Sequence, residues 1–461
     1  MAKEGKSFTV LLIAGLLLFL AGALLLALAA HGRGPVVVRL LGLVCLAMAA
    51  SEKRSLTFWI FLAMLGGLEL GLDAPALAIE LRVFSDLFLR LIKVIVAPLI
   101  LGTLITGIAG HGDLRKVGRI GWKSLLYFEA VTTVALFLGL AAINLTKAGE
   151  GLVVPAAPAS PAPEAAALHW SDFLLHIFPE NIVKSIAENQ ILQVAVFAIL
   201  FAIALTRVPE KYQKPMLSLA ESLTQIMFSF TNLVMYYAPV GVGAAMAYTV
   251  GHMGIAVLLP LGKLLLTAYG ALLTFLLGVL LPIALLAGIP LRRFLSAVAE
   301  PATIAFATST SEAALPRAME SMEAFGVPRR IVAFVIPAGY SFNLDGSTLY
   351  LALASIFVAQ AAGIHMPWSQ QLFMVLTLML TSKGVAGVPR AVLVVLLATA
   401  STFHLPTEPI FVILGVDALI DMARTSVNVT GNCLASAVIA RWENELPEEQ
   451  PSSPPLAQNS L

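Results

Sequence analysis

Asn343-Leu344-Asp345-Gly346-Ser347 interrupts the apolar sequence in the last third of the chain. A second polar series follows it, made up of Asp417, Asp421, Arg424, Asn428 and Asn432. A charged group at the centre of a bilayer costs roughly 3 kcal/mol or more unless it faces protein or water. If the surrounding segments cross a membrane, these residues therefore predict a polar site within it.

The composition indicates such a membrane protein. The chain has 461 residues, of which 59% are hydrophobic and 12% charged, and its mean hydropathy is +0.91; soluble domains carry about 25% charged residues. We expect an all-α multi-span membrane protein with no nucleic-acid partner, since the net charge is only +1. Cys45 and Cys433 lie in apolar segments and are expected to be free thiols.

Apolar runs divide the chain into segments of the length that a bilayer needs, which is about 20 residues. They lie near 8–30, 35–50, 55–74, 81–109, 120–146, 180–206, 217–247 and 256–288. Basic loops at 53–54, 115–119, 207–214 and 292–293 place these loops and the N-terminus in the cytoplasm by the positive-inside rule. The Pro/Ala segment at 155–163 is expected to be a mobile extracytoplasmic loop.

Two later segments are too polar or too broken to span. The stretch 300–316 is rich in Ser and Thr, and 381–389 places Gly384, Gly387 and Pro389 inside an apolar run. Non-helical backbone at membrane depth survives only where protein or a wet cavity surrounds it, and paired Gly/Pro interruptions indicate a transporter's binding site. We therefore expect two re-entrant hairpins, at about 295–325 and 369–405.

The final helix supplies the charges of the predicted site. Asp417, Asp421, Arg424, Asn428 and Asn432 recur at spacings of three and four, so they share one helical face. A guanidinium binds a carboxylate through two parallel hydrogen bonds, and a nearby carboxylate can bind an ammonium group. The pattern favours an acidic amino acid as ligand. The alternative is that Arg424 pairs with Asp421 only to hold the helix in its bundle.

The strings at 337–350, 381–389 and 421–432 resemble the dicarboxylate/amino acid:cation symporters, which are the glutamate transporter family. The likeness runs from about 55 to 445 and is greatest to the bacterial proton/glutamate-aspartate branch. It implies the glutamate-transporter fold with eight family transmembrane helices and two re-entrant hairpins, in a homotrimer in the cell (inner) membrane with both termini cytoplasmic. Residues 1–54 would form an extra transmembrane hairpin without a counterpart in the family.

The resemblance also implies a division of each subunit. Residues 55–255 would be mainly scaffold and trimerisation helices, with the helix at about 120–146 belonging to the transport domain. Residues 256–442 would be the core of that domain, with two hairpins and two broken helices, and would move with the substrate. Residues 443–461 would be a disordered cytoplasmic tail.

The resemblance implies a role for each residue of the site. Arg424, helped by Ser347, would bind the side-chain carboxylate of the substrate, and Asp421 its amino group. Asp417 would support this network. The remaining implied substrate contacts are Thr310, Ser311, Gly384, Val385, Ala386, Gly387, Val388, Pro389, Thr425 and Asn428.

Asp421 separates two substrate classes within the family. Its C4-dicarboxylate members keep the arginine but lack an aspartate three residues before it, because their substrates have no amine. Its neutral-amino-acid members replace the arginine. The resemblance therefore implies import of L-glutamate and L-aspartate, with C4-dicarboxylate transport as an alternative.

The coupling ion rests on other positions. Asn432 stands where sodium-coupled members have a carboxylate, and Phe128 and Val131 replace two oxygen donors, so we expect protons as the coupling ion and sodium as the alternative. A residual cation site would consist of Gly339, Ser341, Asn343, Asp345, Asn428 and Asn432. Glu129 and Glu312 are the proton-coupling candidates, on the expectation that they are buried carboxylates.

Other classes of function receive less support. The sequence offers no nucleophile with a paired base, no nucleotide-binding loop and no metal-ligand spacing, so we expect neither an enzyme nor a bound cofactor or metal. An anion channel stays open as a function of a different class. The expected partners are the small-molecule substrate, membrane lipid and further copies of the chain.

Overall fold

A computed structural model describes residues 2–27, 33–53, 56–109, 118–152, 178–188, 190–381, 391–403 and 405–446. Within these ranges every regular element is a helix, which confirms the all-α prediction. The Pro/Ala segment at 155–163, the residues from Gly384 to Pro389 and the chain beyond 446 lie outside the described residues.

The apolar runs of the first two thirds become helices, although the run at 180–206 is divided into two helices and the run at 217–247 is bent at 236–237. The extra hairpin consists of α1 (Ala2–Ala27) and α2 (Arg33–Lys53), which pack along each other. The helices that follow are α3 (Leu56–Asp73), α4 (Pro75–Glu80), α5 (Arg82–Ala109), α6 (Gly118–Thr146), α7 (Ile182–Ala187), α8 (Ile191–Leu205), α9 (Glu210–Met235) and α10 (Ala238–Met253). Then α11 (Leu258–Phe275), a π-helical stretch (Leu276–Leu280) and α12 (Leu281–Leu286) make one continuous apolar segment.

The last third has the interrupted architecture that its sequence predicts. Helices α13 (Leu291–Thr308) and α14 (Ser311–Phe325) pack together, and α15 (Arg329–Phe342) is separated from α16 (Asp345–Ala361) by two residues. Helices α17 (Trp368–Thr381) and α18 (Ala391–Thr402) flank the second Gly/Pro-rich segment. The chain closes with α19 (Glu408–Trp442), which is continuous over 35 residues. One broken helix of the kind expected is therefore present at 329–361, whereas the last helix is continuous.

Six stretches among the described residues are long and apolar enough to cross a membrane. The bent pair α9 and α10, which changes direction by 51° at the Tyr236-Tyr237 break, makes a seventh. In the stretch from Arg329 to Ala361, 94% of the residues in an 18-residue apolar window are buried inside the protein. A helix enclosed in this way is shielded from lipid by its neighbours, so it can carry polar groups. It crosses α19, and the polar series of the sequence meets at that crossing.

Candidate functional site

Arg424 is the centre of the site and is held by two carboxylates of its own helix. Its Nε donates to Asp421 Oδ1 at 2.9 Å, and its Nη1 donates to Asp417 Oδ1 at 3.1 Å. The guanidinium is 1% exposed, and neither aspartate is more than 4% exposed. Because Asp421 and Asp417 precede Arg424 by three and seven residues, one helical face brings the three together, as the spacing predicts. Two carboxyl groups therefore face one guanidinium.

Tyr350 of α16 completes the setting of the guanidinium. The centre of its ring lies 5.0 Å from the Cζ atom of Arg424, which is the distance of a cation–π contact. The ring is fully buried. Tyr350 has no role that its sequence position predicts, although it lies within the string that carries the family resemblance. Its place under the guanidinium depends on how α16 crosses α19, and residue spacing does not contain that information.

The break between α15 and α16 exposes backbone donors to α19. The Oδ1 atom of Asn428 accepts hydrogen bonds from the backbone N–H groups of Gly346 at 2.8 Å and Ser347 at 3.2 Å. Its Nδ2 group donates to Ser347 Oγ at 2.9 Å. A helix leaves its first N–H groups without an internal partner, so Asn428 caps α16 from another helix. A Cβ atom at Gly346 would overlap the backbone of Arg424, so this crossing requires glycine.

The predicted residual cation site is a buried amide and carboxylate cluster. Asn343 Nδ2 donates to Asp345 Oδ2 at 3.2 Å and to Asn432 Oδ1 at 3.0 Å. All three side chains are fully buried. The carbonyl of Gly339 accepts from the backbone N–H of Asn343 at 2.8 Å, and Ser341 lies on the last turn of α15. The structure thus brings together most of the residues that the resemblance groups here.

The tip of the first hairpin approaches the same face of α19. Ser309 ends α13 with a left-handed backbone (φ 52°), and Thr310 is extended. Thr425 Oγ1 donates to Asp421 Oδ1 at 3.2 Å, which extends the Arg424 network by one turn. Ser426 Oγ donates to the carbonyl of Ala302 at 3.0 Å and so joins the hairpin to α19. Ser311, at the start of α14, is buried.

A cavity of about 350 Å³ lies beside these groups. Of the predicted substrate residues, Thr310 and Asp421 line it. Residues from the other side of the cavity, which the sequence analysis does not name, include Thr57 of α3 and Asn232 of α9. The whole lining is Leu56, Thr57, Ile60, Asn232, Met235, Thr308, Ser309, Thr310, Ala313, Ala418 and Asp421. Its volume is within the range of small-molecule sites.

Of the two proton-coupling candidates, the side chain of Glu129 is described by the structure, and that of Glu312 lies outside the described part. Glu129 is exposed on the outer side of α6, so its assignment as a buried carboxylate is wrong. Phe128 and Val131, which replace oxygen donors by the family comparison, are the inward-facing residues, at 1% and 4% exposure. Glu312 is the second residue of α14. Across the described part of the chain, no group of His, Cys, Asp and Glu has the arrangement of a metal site.

Comparison with known proteins identifies the family. Residues 56–442 match the model of the Sodium:dicarboxylate symporter family. The chain is 40% identical over 409 residues to the "Proton/sodium-glutamate symport protein" of Geobacillus stearothermophilus. This alignment covers 87% of this chain and 97% of that protein. It is 43% identical over 370 residues to the "Proton/glutamate-aspartate symporter" of Escherichia coli (strain K12), covering 78% of this chain and 85% of that protein.

A third relative is named for a different substrate. The chain is 41% identical over 403 residues to the "C4-dicarboxylate transport protein" of Solibacter usitatus (strain Ellin6076), covering 86% of this chain and 94% of that protein. Each of these alignments extends over most of both proteins. The chain therefore belongs to the sodium:dicarboxylate symporter family and is a membrane transporter rather than an enzyme.

Proposed function

We propose that the chain imports L-glutamate and L-aspartate together with protons. The observation that carries the proposal is that Asp421, which lines the cavity, is hydrogen-bonded to Arg424. An acidic amino acid has a side-chain carboxylate for the guanidinium and an ammonium group for the aspartate. A C4-dicarboxylate lacks the ammonium group and leaves Asp421 without a ligand partner.

Binding would exchange one partner of Arg424 for the substrate. Asp417 keeps its hydrogen bond to Nη1 and holds the guanidinium in place, while Asp421 turns from Nε to the ammonium group of the ligand. Ser347 would assist Arg424. Thr425 and Asn428 would bind the amino and main-chain carboxylate groups, and Thr310, Ser311 and the backbone from Gly384 to Pro389 would close the site.

Overall similarity does not select the substrate. The glutamate and glutamate-aspartate relatives are 40% and 43% identical to the chain, and the C4-dicarboxylate relative is 41% identical. The selection rests on Asp421, which the family resemblance associates with amino acid substrates. C4-dicarboxylate symport is accordingly the second candidate.

Proton coupling is favoured over sodium coupling by the residues at the positions where the family comparison expects sodium ligands. Helix α6 turns Phe128 and Val131 inward where hydroxyl donors would serve a sodium ion, and Asn432 supplies an amide in place of a carboxylate. Sodium ions favour a shell of hard oxygen ligands, with carboxylates to balance the charge. Sodium coupling remains the alternative, because Asn343, Asp345 and the Gly339 carbonyl persist.

The proposed transport is an elevator movement within a homotrimer. The cavity separates Thr57 and Asn232, in the segment assigned to the scaffold, from Thr310 and Asp421, in the segment assigned to the moving domain. Helix α6 packs on α16 and would move with it, as the family division implies. Both termini would lie in the cytoplasm of a cell whose inner membrane holds the protein.

The test is uptake of radiolabelled L-glutamate and L-aspartate into liposomes that contain the purified protein. An inward proton gradient without sodium is compared with an inward sodium gradient at symmetric pH. We expect accumulation with protons alone. A strict sodium requirement would overturn the coupling assignment, and ion current without accumulation would indicate an anion channel instead.

A substitution of Asp421 tests the substrate class. In Asp421→Ser we expect the affinity for glutamate and aspartate to fall by at least about tenfold, because the ammonium group loses a charged hydrogen-bond partner. Competition by succinate should persist or improve. Glu320→Gln, which removes an exposed carboxylate of α14, is the matched control and should leave both affinities unchanged. Equal losses for glutamate and succinate would contradict the assignment of Asp421 to the amino group.

A further inference from the structure

The extra hairpin is attached to the family part of the chain through a charge cluster in which Arg39 and Glu69 are buried and Asp73 is partly exposed. Arg39 of α2 donates from Nε to Glu69 Oε2 of α3 at 2.6 Å and from Nη2 to Asp73 Oδ1 at 3.1 Å. Arg39 is 1% exposed and Glu69 4%. Both residues lie within stretches that qualify as membrane spans. The match to the family begins at residue 56, so it includes Glu69 and Asp73 but not Arg39.

This cluster joins two parts of the chain, each of which carries a charge that is compensated by the other. A carboxylate such as Glu69 in an apolar span is costly if it faces lipid, and the same holds for Arg39. Removing one partner of a buried ion pair leaves an uncompensated buried charge, whereas removing both partners together does not. Glu69 therefore has a stable setting only while α2 covers it.

The two helices of the hairpin, α1 and α2, approach each other closely at the level of Arg39. A Cβ atom at Gly22 of α1 would lie 2.5 Å from Cγ of Arg39 and 2.9 Å from the carbonyl of Pro35. Small residues of this kind let membrane helices approach closely. The aliphatic part of the Arg39 side chain is thus packed against α1, and its guanidinium is directed at α3.

Helix α3 extends from this charge cluster to the cavity. Glu69 and Asp73 lie at its end, while Leu56, Thr57 and Ile60 at its start line the cavity beside Asp421. Thr57 Oγ1 lies 3.4 Å from the carbonyl of Thr308 at the tip of the first hairpin. A shift of α3 along its axis would therefore change the wall of the cavity.

We propose that the N-terminal hairpin is a brace for α3, and that Arg39 is the residue through which it holds α3 against the rest of the protein. The hairpin is thereby an accessory element that sets the position of one cavity wall. This role does not depend on which substrate or ion the protein carries.

Thermal unfolding of the purified protein tests the ion pair. We expect Arg39→Met to lower the melting temperature by at least about 5 °C, because Glu69 loses its partner. Arg39→Met combined with Glu69→Gln should regain most of that loss. Arg317→Met is the control, since Arg317 also binds two carboxylates, Glu300 and Glu320, but at an exposed site. A double variant as unstable as Arg39→Met, or an unchanged Arg39→Met, would overturn the proposal.

Cross-linking tests the position of α3 without any transport assay. In a chain with Cys45→Ala and Cys433→Ala, the pair Thr57→Cys and Thr308→Cys should react with a short thiol cross-linker. Adding Arg39→Met should slow this reaction several-fold, and adding Glu69→Gln should restore it. The pair Ala302→Cys and Ser426→Cys, which joins the first hairpin to α19, reports on general loosening and should be unaffected. Equal slowing of both pairs, or of neither, would contradict a brace acting on α3.

Discussion

At the residue scale, Arg424 is fixed from three directions. Asp421 and Asp417 bind two of its nitrogens, and the ring of Tyr350 lies against the guanidinium plane. A long side chain that is already ordered loses little further conformational entropy when a ligand binds. The site therefore presents a guanidinium in a single orientation, which suits recognition of a carboxylate through two parallel hydrogen bonds.

Replacing Arg424 should abolish transport of acidic substrates. In Arg424→Ser we expect the affinity for glutamate to fall at least about a hundredfold, because two charged hydrogen bonds to the carboxylate are lost. Radiolabelled uptake into liposomes measures the loss, and competition by neutral amino acids such as serine tests for altered selectivity. Arg424→Lys keeps the charge without the planar fork, so it should be impaired although its fold is retained. Normal glutamate affinity in either variant would contradict the assigned role.

Sequence reasoning located the site residues that share an element and missed those that depend on helix pairing. The spacing of Asp417, Asp421 and Arg424 fixed their common face, and the structure confirms it. The expectation of a buried Glu129 is wrong because polar residues near it, such as Ser124 and Thr132, are buried while apolar residues such as Leu125 and Leu126 are exposed, so polarity does not reveal the inner side of α6. Arg39 is visible as a charge in an apolar run, but its partners lie 30 and 34 positions away on another helix.

At the element scale, the difference between the two principal helices follows from their sequences. Asn343 and Leu344 leave the helical region, with φ and ψ of −126° and 63° for Asn343, and the freed N–H groups of Gly346 and Ser347 are capped by Asn428. The last helix contains no comparable interruption, and it stays helical from Glu408 to Trp442 although it carries several buried polar side chains. Whether a helix in this fold is broken or continuous therefore depends on whether other groups bind the backbone N–H groups that a break would free.

The crossing of α16 and α19 should be sensitive to a single methyl group. Because a Cβ atom at Gly346 would overlap the backbone of Arg424, we expect Gly346→Ala to lower the free energy of unfolding by about 1–3 kcal/mol. Gly270→Ala in α11 is the matched control, since no atom lies within 4 Å of a Cβ built there. Melting temperatures of the two purified variants decide the matter. Equal behaviour would mean that the crossing can open without cost.

At the scale of the whole molecule, ion pairs beyond the end of α19 connect distant parts of the chain. The Glu443 carboxylate accepts from Lys123 Nζ at 2.6 Å and from Arg119 Nε at 2.8 Å, both at the start of α6. Glu445 pairs with Arg330 at the start of α15. The predicted disordered tail from residue 443 is therefore wrong for residues 443–446, because composition alone does not reveal contacts with other helices.

The Glu443 contacts should make stability depend on pH in the acid range. The hydrogen bond from Lys123 is the main cause that lowers the pKa of Glu443 below its ordinary value of 4.5. Its stabilising contribution is then complete above about pH 4.5 and is lost as the pH falls through the lower pKa of the folded state. We expect Glu443→Gln to melt below the unmodified protein at neutral pH, with the difference shrinking below about pH 4.5. A difference that stays constant with pH would assign the effect to packing instead.

The confinement of Asp417, Asp421, Arg424, Thr425 and Asn428 to one uninterrupted helix has a consequence for how substrate choice can change. A single short stretch of coding sequence contains all of these positions, and the surrounding bundle supplies their support from other elements. Directed evolution of new cargo can therefore randomise one oligonucleotide cassette.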